Sequence, residues 1–167
     1  FMPNGNFTYK ETFGGPELDM RWIMLRTPFS PFWETGAKGL VLTPRESTVR
    51  QRVNPAFVGY RQQHITFSAQ ATVEFDPAGE NDFAGMVCFQ REEFNYVFGV
   101  TKLDGRNCVV LEKTVDGKAS LVAYSELSDR KGKLTLKVDA DGGDYSFSYS
   151  SGGKPFVGVG GTMDGSI

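Results

Sequence analysis

The sequence has few of the residues on which enzyme active sites are most often built. Its 167 residues include one histidine, His64, and two cysteines, Cys88 and Cys108. Catalysis of the Ser-His or Cys-His type therefore has one candidate base, and these three residues match no zinc-ligand spacing. Both cysteines lie in apolar, strand-like runs, which favours buried free thiols over a disulfide. We expect His64 to be a solvated or hydrogen-bonded strand residue and this chain alone not to be an enzyme.

The sequence also has no cluster of basic residues and no long apolar run. It carries 18 basic and 20 acidic side chains, which give a net charge of -2. Binding to phosphates requires clustered Lys and Arg, so neither nucleic acid nor an anionic membrane surface is expected as a partner. The longest apolar runs, such as residues 84–89, have the length of a strand and are too short to cross a membrane.

Alternating hydrophobicity is the clearest pattern that is present. Over residues 64–75 one set of side chains is apolar and the intervening set is polar. The apolar set is Ile65, Phe67, Ala69, Ala71, Val73 and Phe75. A period of two over this length predicts a strand with one dry face and one wet face.

Shorter strands separated by glycine turns are predicted on both sides of this segment. Asp104-Gly105 and Asp116-Gly117 indicate hairpin turns, because type I′ turns need positive φ at both central positions. The predicted strands cover residues 7–13, 39–42, 84–90, 94–102, 107–114, 118–125, 133–139, 144–150 and 154–159. Such regular spacing predicts an all-β, two-sheet antiparallel β-sandwich that occupies residues 1–167 as a single domain.

Acidic residues are frequent, but most of the aspartates fall in predicted turns, where turn geometry explains them. An oxygen-rich loop of Asp76, Glu80, Asn81 and Asp82 is one candidate for calcium, and Glu11 with an acidic residue near the C-terminus is another. A solvated loop is the simpler interpretation. No cofactor is expected, and a structural calcium ion is the open alternative.

Aromatic residues make up 13% of the chain and suggest carbohydrate contacts, because sugar rings stack on exposed aromatic faces. Trp33, Tyr60 and Tyr96 are candidate platforms, although their spacing does not separate outward residues from core residues. The polar cluster Arg61-Gln62-Gln63-His64 precedes the long strand. Arg61, Gln63 and His64 either bind sugar hydroxyls or serve as a structural or domain-interface cluster, and we favour the second reading.

Several segments together resemble a known module. They are PAFVGYRQQH, the FxAxxxxxF strand, AGMVCFQ and FNYVFGV, with the opening YKETFGGPELDMRW. This combination resembles the C-terminal concanavalin A-like β-sandwich of family 43 glycoside hydrolases, the β-xylosidase and α-L-arabinofuranosidase group. The resemblance implies a jelly roll that serves carbohydrate metabolism and xylan degradation.

The resemblance further implies a division of labour between domains. An N-terminal five-bladed propeller carries the three catalytic carboxylates, and a late loop of the sandwich presents an aromatic side chain to the pocket. We therefore expect a non-catalytic accessory domain that packs on this propeller, shapes its pocket and acts with it on xylan or arabinoxylan oligosaccharides.

Two alternatives are a carbohydrate-binding module, with xylo-oligosaccharide as ligand, and a lectin-like sugar or adhesion domain. We expect the chain to be a C-terminal piece of a larger glycosidase that continues beyond Ile167 with its last strand or strands. The compartment stays open between the bacterial periplasm or exterior and the cytoplasm.

Overall fold

A computed structural model describes residues 7–128 and 133–167, and these residues fall into two compact units. The first unit ends at Arg61 and the second comprises Gln62–Ile167. No helix occurs among the described residues, so none is long and apolar enough to cross a membrane. The prediction that residues 1–167 form a single domain stays a prediction.

Four very short strands form two antiparallel pairs in the first unit. They are β1 (Trp22–Ile23), β2 (Trp33–Glu34), β3 (Val41–Leu42) and β4 (Gly59–Tyr60). β1 pairs with β4, and β2 pairs with β3. The remainder of the unit is irregular, in agreement with the prolines that interrupt this part of the sequence.

Eight longer antiparallel strands build the second unit. They are β5 (Thr66–Val73), β6 (Ala84–Arg91), β7 (Phe94–Leu103), β8 (Arg106–Val115), β9 (Lys118–Glu126), β10 (Leu134–Asp141), β11 (Asp144–Ser151) and β12 (Val157–Asp164). One sheet has the order β12-β11-β10-β5 and the other has the order β6-β7-β8-β9. The prediction of an all-β, two-sheet antiparallel sandwich of the concanavalin A-like type is confirmed.

The core lies between these two sheets. Phe147 on β11 packs against Tyr96 and Phe98 on β7, with ring centroids 5.5 and 5.3 Å apart. Leu136 and Val138 on β10 are fully buried in the same cluster. Because successive strand residues point to opposite faces, the intervening residues Thr135 and Lys137 are only partly buried.

Both Asp-Gly turns have the predicted conformation. Asp104 and Gly105 have φ angles of 49° and 73°, and Asp116 and Gly117 have φ angles of 50° and 75°. Each turn consists of two residues in this left-handed conformation. The first turn joins β7 to β8 and the second joins β8 to β9.

Three predicted strands differ from the observed ones. The long strand is shorter, since β5 begins at Thr66 opposite Asp141, and Ile65, predicted on the dry face, is 75% exposed. The final strand lies further along the chain than residues 154–159. Residues 7–13 form no strand, because the Glu11 carboxylate accepts the backbone N–H groups of Thr12 and Phe13 at 2.9 and 2.8 Å.

Candidate functional site

A group of stacked aromatic and cationic side chains is the most organised surface of the first unit. Pairing of β1 with β4 places Trp22 opposite Tyr60, and their rings lie 5.5 Å apart. Tyr60 also stacks on Tyr9, with 5.6 Å between centroids and 19° between planes. The Arg21 guanidinium lies 4.3 Å from the centre of the Tyr9 ring, and Phe13 packs against Trp22 at 4.9 Å. We call these five residues the aromatic stack.

Two carboxylates hold the aromatic stack in place. Glu11 accepts a hydrogen bond of 2.6 Å from the Tyr9 hydroxyl, in addition to its two backbone bonds. Asp19 accepts bonds from the Arg21 Nε and Nη2 atoms at 2.8 and 3.2 Å and from the Arg21 backbone N–H at 2.9 Å. The exposed side chains of Tyr9 and Arg21 are therefore each held by hydrogen bonds to a residue two positions away in the sequence.

These bonds account for the shifted pKa values of the group. The hydrogen bond from Tyr9, followed by the bond from the Phe13 backbone, lowers the pKa of the Glu11 carboxyl. The same bond to Glu11 raises the pKa of the Tyr9 hydroxyl. The bond from the Arg21 side chain lowers the pKa of Asp19 and in turn raises that of Arg21. At neutral pH Glu11 and Asp19 are therefore anions, and Tyr9 is neutral.

The three predicted aromatic platforms lie in different environments. Tyr60 belongs to the aromatic stack and is 38% exposed. Trp33 is half-buried on β2, where its ring contacts Phe32 edge-on at 5.0 Å. Tyr96 is 2% exposed and differs from the prediction of a surface platform. Its ring lies in the sandwich core, and its hydroxyl donates to the Asp164 carbonyl at 2.8 Å.

The polar cluster before β5 spans the boundary between the two units. Arg61 is the last residue of the first unit, whereas Gln63 and His64 are exposed residues of the second, and both make further polar or ring contacts. Gln62 has the best-defined role. Its Oε1 accepts a hydrogen bond of 3.0 Å from the Tyr145 hydroxyl, and its Nε2 donates to the His64 carbonyl at 2.9 Å. This geometry fits a structural use of Gln62.

The oxygen-rich loop between β5 and β6 uses its acidic groups to bind protein atoms. Asp82 accepts the backbone N–H groups of Ala78 and Gly79 at 2.8 and 2.9 Å, and Glu80 accepts that of Asp104 at 3.1 Å. Asp76 accepts a bond from the Asn107 amide at 3.1 Å. Within residues 7–128 and 133–167, no three His, Cys, Asp or Glu side chains group closely enough to hold a metal ion. The loop is clamped to the β7–β8 hairpin by its own carboxylates.

A shallow polar groove crosses the outer face of the β12-β11-β10-β5 sheet. Ser68, Asp139, Ser146 and Thr162 line it as a row across the four strands. Burial alone raises the pKa of Asp139, but the bonds from Lys137 and Ser68 outweigh it and give a lowered value. Lys137 Nζ lies 2.7 Å from the Asp139 carboxylate. The Asp139 carboxylate is thus an anion paired with the Lys137 ammonium group, and it is unsuited to donating a proton.

Tyr60 is the one member of the aromatic stack among the candidates predicted from the sequence, and Tyr9, Phe13, Arg21 and Trp22 were missed. Tyr9 and Arg21 lie in irregular segments, and Tyr9 meets Tyr60 across 51 positions of the chain. The sequence does contain one local signal, the spacing of Asp19 and Arg21, which allows an ion pair within a turn. The backbone N–H of Trp22 donates a hydrogen bond of 3.0 Å to the Asp19 carbonyl, and this bond closes the turn.

Comparison with known families identifies a close match over most of the chain. The family model of the β-xylosidase C-terminal concanavalin A-like domain, GH43_C2, matches residues 10–167. A relative from Butyrivibrio fibrisolvens, named xylosidase/arabinosidase, is 34% identical over 133 residues, which cover 78% of this chain and 25% of that protein. A Bacteroides ovatus protein named non-reducing end α-L-arabinofuranosidase BoGH43B is 26% identical over 85% of this chain and 27% of its own length.

Solved structures show the same likeness. The crystal structure of a GH43_12 protein from the capybara gut metagenome superposes with a TM-score of 0.87 and 35% identity, over 98% of this chain and 32% of that one. The chain therefore spans about a third or less of the length of these relatives.

Proposed function

Because this chain belongs to the β-xylosidase C-terminal concanavalin A-like domain family of family 43 glycoside hydrolases, we propose that it is a non-catalytic accessory domain. Its partner is the catalytic propeller of the same polypeptide, which it stabilises and whose active-site pocket it helps to shape. The substrates of that polypeptide are oligosaccharides of xylan or arabinoxylan. The observation that carries the proposal is the extent of the match, which covers nearly all of this chain but at most a third of its relatives.

The lowered pKa values of four acidic residues fit the non-catalytic role. A glycosidase requires a carboxyl with a raised pKa as its general acid, facing a second carboxylate. Every carboxyl whose pKa departs from its ordinary value in the described part of the chain has it lowered. These groups are Glu11, Asp19, Asp139 and Asp164.

The names of the relatives support the substrate class. The proteins from Butyrivibrio fibrisolvens and Bacteroides ovatus are named for xylosidase, arabinosidase or arabinofuranosidase activity. An accessory domain that limits the depth of a pocket favours short chains and excludes bulk water, while it leaves room for the one water molecule that hydrolysis consumes. Both effects are expected to increase turnover of short oligosaccharides.

A domain exchange tests the accessory role. The capybara-gut protein is 35% identical to this chain over a segment that makes up 32% of its length, and this matched segment is the part to replace. Hydrolysis of aryl β-xyloside and aryl α-L-arabinofuranoside is measured for the exchanged protein, for the same protein without any C-terminal domain, and for this chain alone. We expect the exchanged protein to retain activity that the truncated one loses, and this chain alone to show none.

Two results would contradict the accessory role. One is turnover by the purified chain that disappears when a pair of its carboxylates is replaced by amides. The other is an exchanged protein whose sandwich is folded, as judged by protease resistance, but whose activity equals that of the truncated protein.

A further inference from the structure

We propose that the aromatic stack, together with the neighbouring side chain of Met20, is the surface through which this chain binds the catalytic domain of its own polypeptide. The inference rests on the accessory role proposed above and adds the location of the contact. It concerns the first unit alone, and every residue of the proposed surface lies between Tyr9 and Tyr60.

The composition and exposure of this surface are typical of a protein interface. Tyr, Trp and Arg dominate the energetics of protein–protein contacts because they combine large apolar area with a polar tip. Tyr9 and Tyr60 are 41% and 38% exposed, although each is stacked on the other. Met20, adjacent to Arg21 in the sequence, is 96% exposed. Burial of this unbranched, exposed thioether side chain against a partner would contribute favourable free energy to binding.

The polar groups of this surface favour a protein over a sugar as the occupant. Sugar recognition needs side-chain donors and acceptors that remain available to hydroxyl groups. Here the Glu11 carboxylate already accepts three hydrogen bonds, and the Asp19 carboxylate already accepts three. These bonds fix the Tyr9 ring and the Arg21 guanidinium, so these two side chains lose little entropy on binding.

The position of the stack in the chain favours the catalytic domain as that protein. The matched family is a C-terminal domain and its match begins at residue 10, so in the proposed architecture the catalytic part lies on the N-terminal side of the first unit. A domain joined at this end of the chain is tethered to the first unit and therefore meets it at a high effective concentration.

Hydroxyl-radical footprinting of tyrosine and methionine tests the location. Oxidation rates are measured in this chain alone and in the polypeptide that also contains the catalytic region. We expect Tyr9, Met20 and Tyr60 to be oxidised several-fold more slowly in the longer polypeptide. Tyr124 on β9, which is 54% exposed, is the matched control and is expected to keep its rate. The buried Tyr149 reports that both samples are folded.

The possible outcomes separate this inference from the proposed function. If Tyr124 becomes protected while Met20 and Tyr60 do not, the domains associate through another surface and the inference fails alone. If no residue becomes protected, the domains do not pack together and the accessory role fails with it. Protection of the stack by xylohexaose in the isolated chain would identify a sugar site and would also overturn the inference.

A substitution in the longer polypeptide gives an independent measurement. Met20→Glu introduces a charge into the proposed contact, and Leu121→Glu places the same charge on β9, where Leu121 is also on the surface, at 47% exposure against 96% for Met20. We expect Met20→Glu to lower the temperature of heat inactivation by several degrees and Leu121→Glu to leave it unchanged. Equal effects of the two substitutions would contradict the proposed location.

Discussion

At the scale of the residue, burial determines the chemistry of the two cysteines. Both are free thiols, Cys108 on β8 being fully buried and Cys88 on β6 packing against the core. Burial raises the pKa of Cys88 to about 12, and it also raises the pKa of Cys108. The thiolate is the nucleophile in alkylation, so these thiols are inert in the folded protein. Both cysteines are free thiols as predicted, and Cys108 is buried as predicted, whereas Cys88 is only partly buried.

Slow alkylation of Cys88 in the folded chain is therefore expected. With a pKa of about 12, only about one Cys88 side chain in ten thousand is ionised at pH 8. Iodoacetamide labelling followed by mass spectrometry should proceed orders of magnitude more slowly in buffer than in denaturant, with Cys108→Ala used to isolate Cys88. Labelling of the folded Cys108→Ala variant at the rate of a free peptide thiol would contradict the burial of Cys88.

The same pKa shift makes stability depend on alkaline pH. A thiol whose folded pKa exceeds its unfolded value stabilises the folded state below the unfolded pKa. For Cys88 this contribution is present up to about pH 9 and is lost progressively as the pH rises towards 12. Urea unfolding of the native chain and of Cys88→Ala should therefore show a difference in free energy that shrinks over this range. A difference that stays constant from pH 8 to pH 11 would exclude the linkage.

At the scale of the element, β12 is shaped by two consecutive glycines. Its pairing with β11 jumps from Val159 opposite Phe147 to Thr162 opposite Ser146, so Gly160 and Gly161 form a bulge. Their φ angles are +83° and +76°, which only glycine adopts readily. Gly160 also lies against β8 and β9, where an added Cβ would come within 2.9 Å of a Leu111 methyl group. The bulge thus brings β12 towards the edge of the opposite sheet.

Alanine at these two positions separates backbone strain from packing. The Cβ added by Gly161→Ala would have no atom within 4 Å. The substitution should therefore lower the free energy of unfolding only by the cost of the left-handed conformation, about 1–2 kcal/mol. Gly160→Ala has the same penalty and in addition must displace the fully buried Leu111, which adds roughly 1–3 kcal/mol. Urea unfolding should therefore rank Gly160→Ala as clearly less stable than Gly161→Ala. Equal losses would show that β12 does not pack against Leu111.

The strands that could be predicted from the sequence are those whose pattern is local. Alternation and Asp-Gly turns placed β6 to β11 to within two residues, because hairpin register follows from turn type. β12 was misplaced because a glycine bulge breaks the alternation. The strand predicted for residues 7–13 is absent because Phe13 has a φ of 55°. This left-handed conformation is stabilised by the hydrogen bond that the Phe13 backbone N–H donates to the Glu11 carboxylate, and no periodicity reveals that bond.

The candidate site was less predictable than the strands. Tyr60 is a candidate from its aromatic character alone, whereas Tyr9 and Arg21 join it only through folding of an irregular segment. Tyr96 could not be separated from a surface tyrosine, since alternation defines two faces of a strand but not which face is the core. Tyr96 is buried because the two sheets pack face to face and bring its ring against Phe147.

At the scale of the whole molecule, the sandwich core provides a way to ask whether catalysis depends on this domain. Leu136 on β10 is fully buried at the centre of the second unit. Leu136→Ala should cost about 2–5 kcal/mol and lower the unfolding temperature of the sandwich by roughly 5–15 °C. Val122→Ala, at an exposed position of β9, is the matched control and should change stability by less than about 1 kcal/mol.

In the longer polypeptide, the accessory role predicts that the heat inactivation of glycosidase activity follows the stability of the sandwich. Activity of the Leu136→Ala protein at low temperature should equal that of the unsubstituted protein, because the domain is folded there and its surface is unchanged. On heating, activity should disappear at the lowered unfolding temperature, since a pocket shaped by this domain is lost when the domain unfolds. Calorimetry and residual activity are measured on the same samples. Activity that persists well above the unfolding of the sandwich would show that catalysis is independent of this domain.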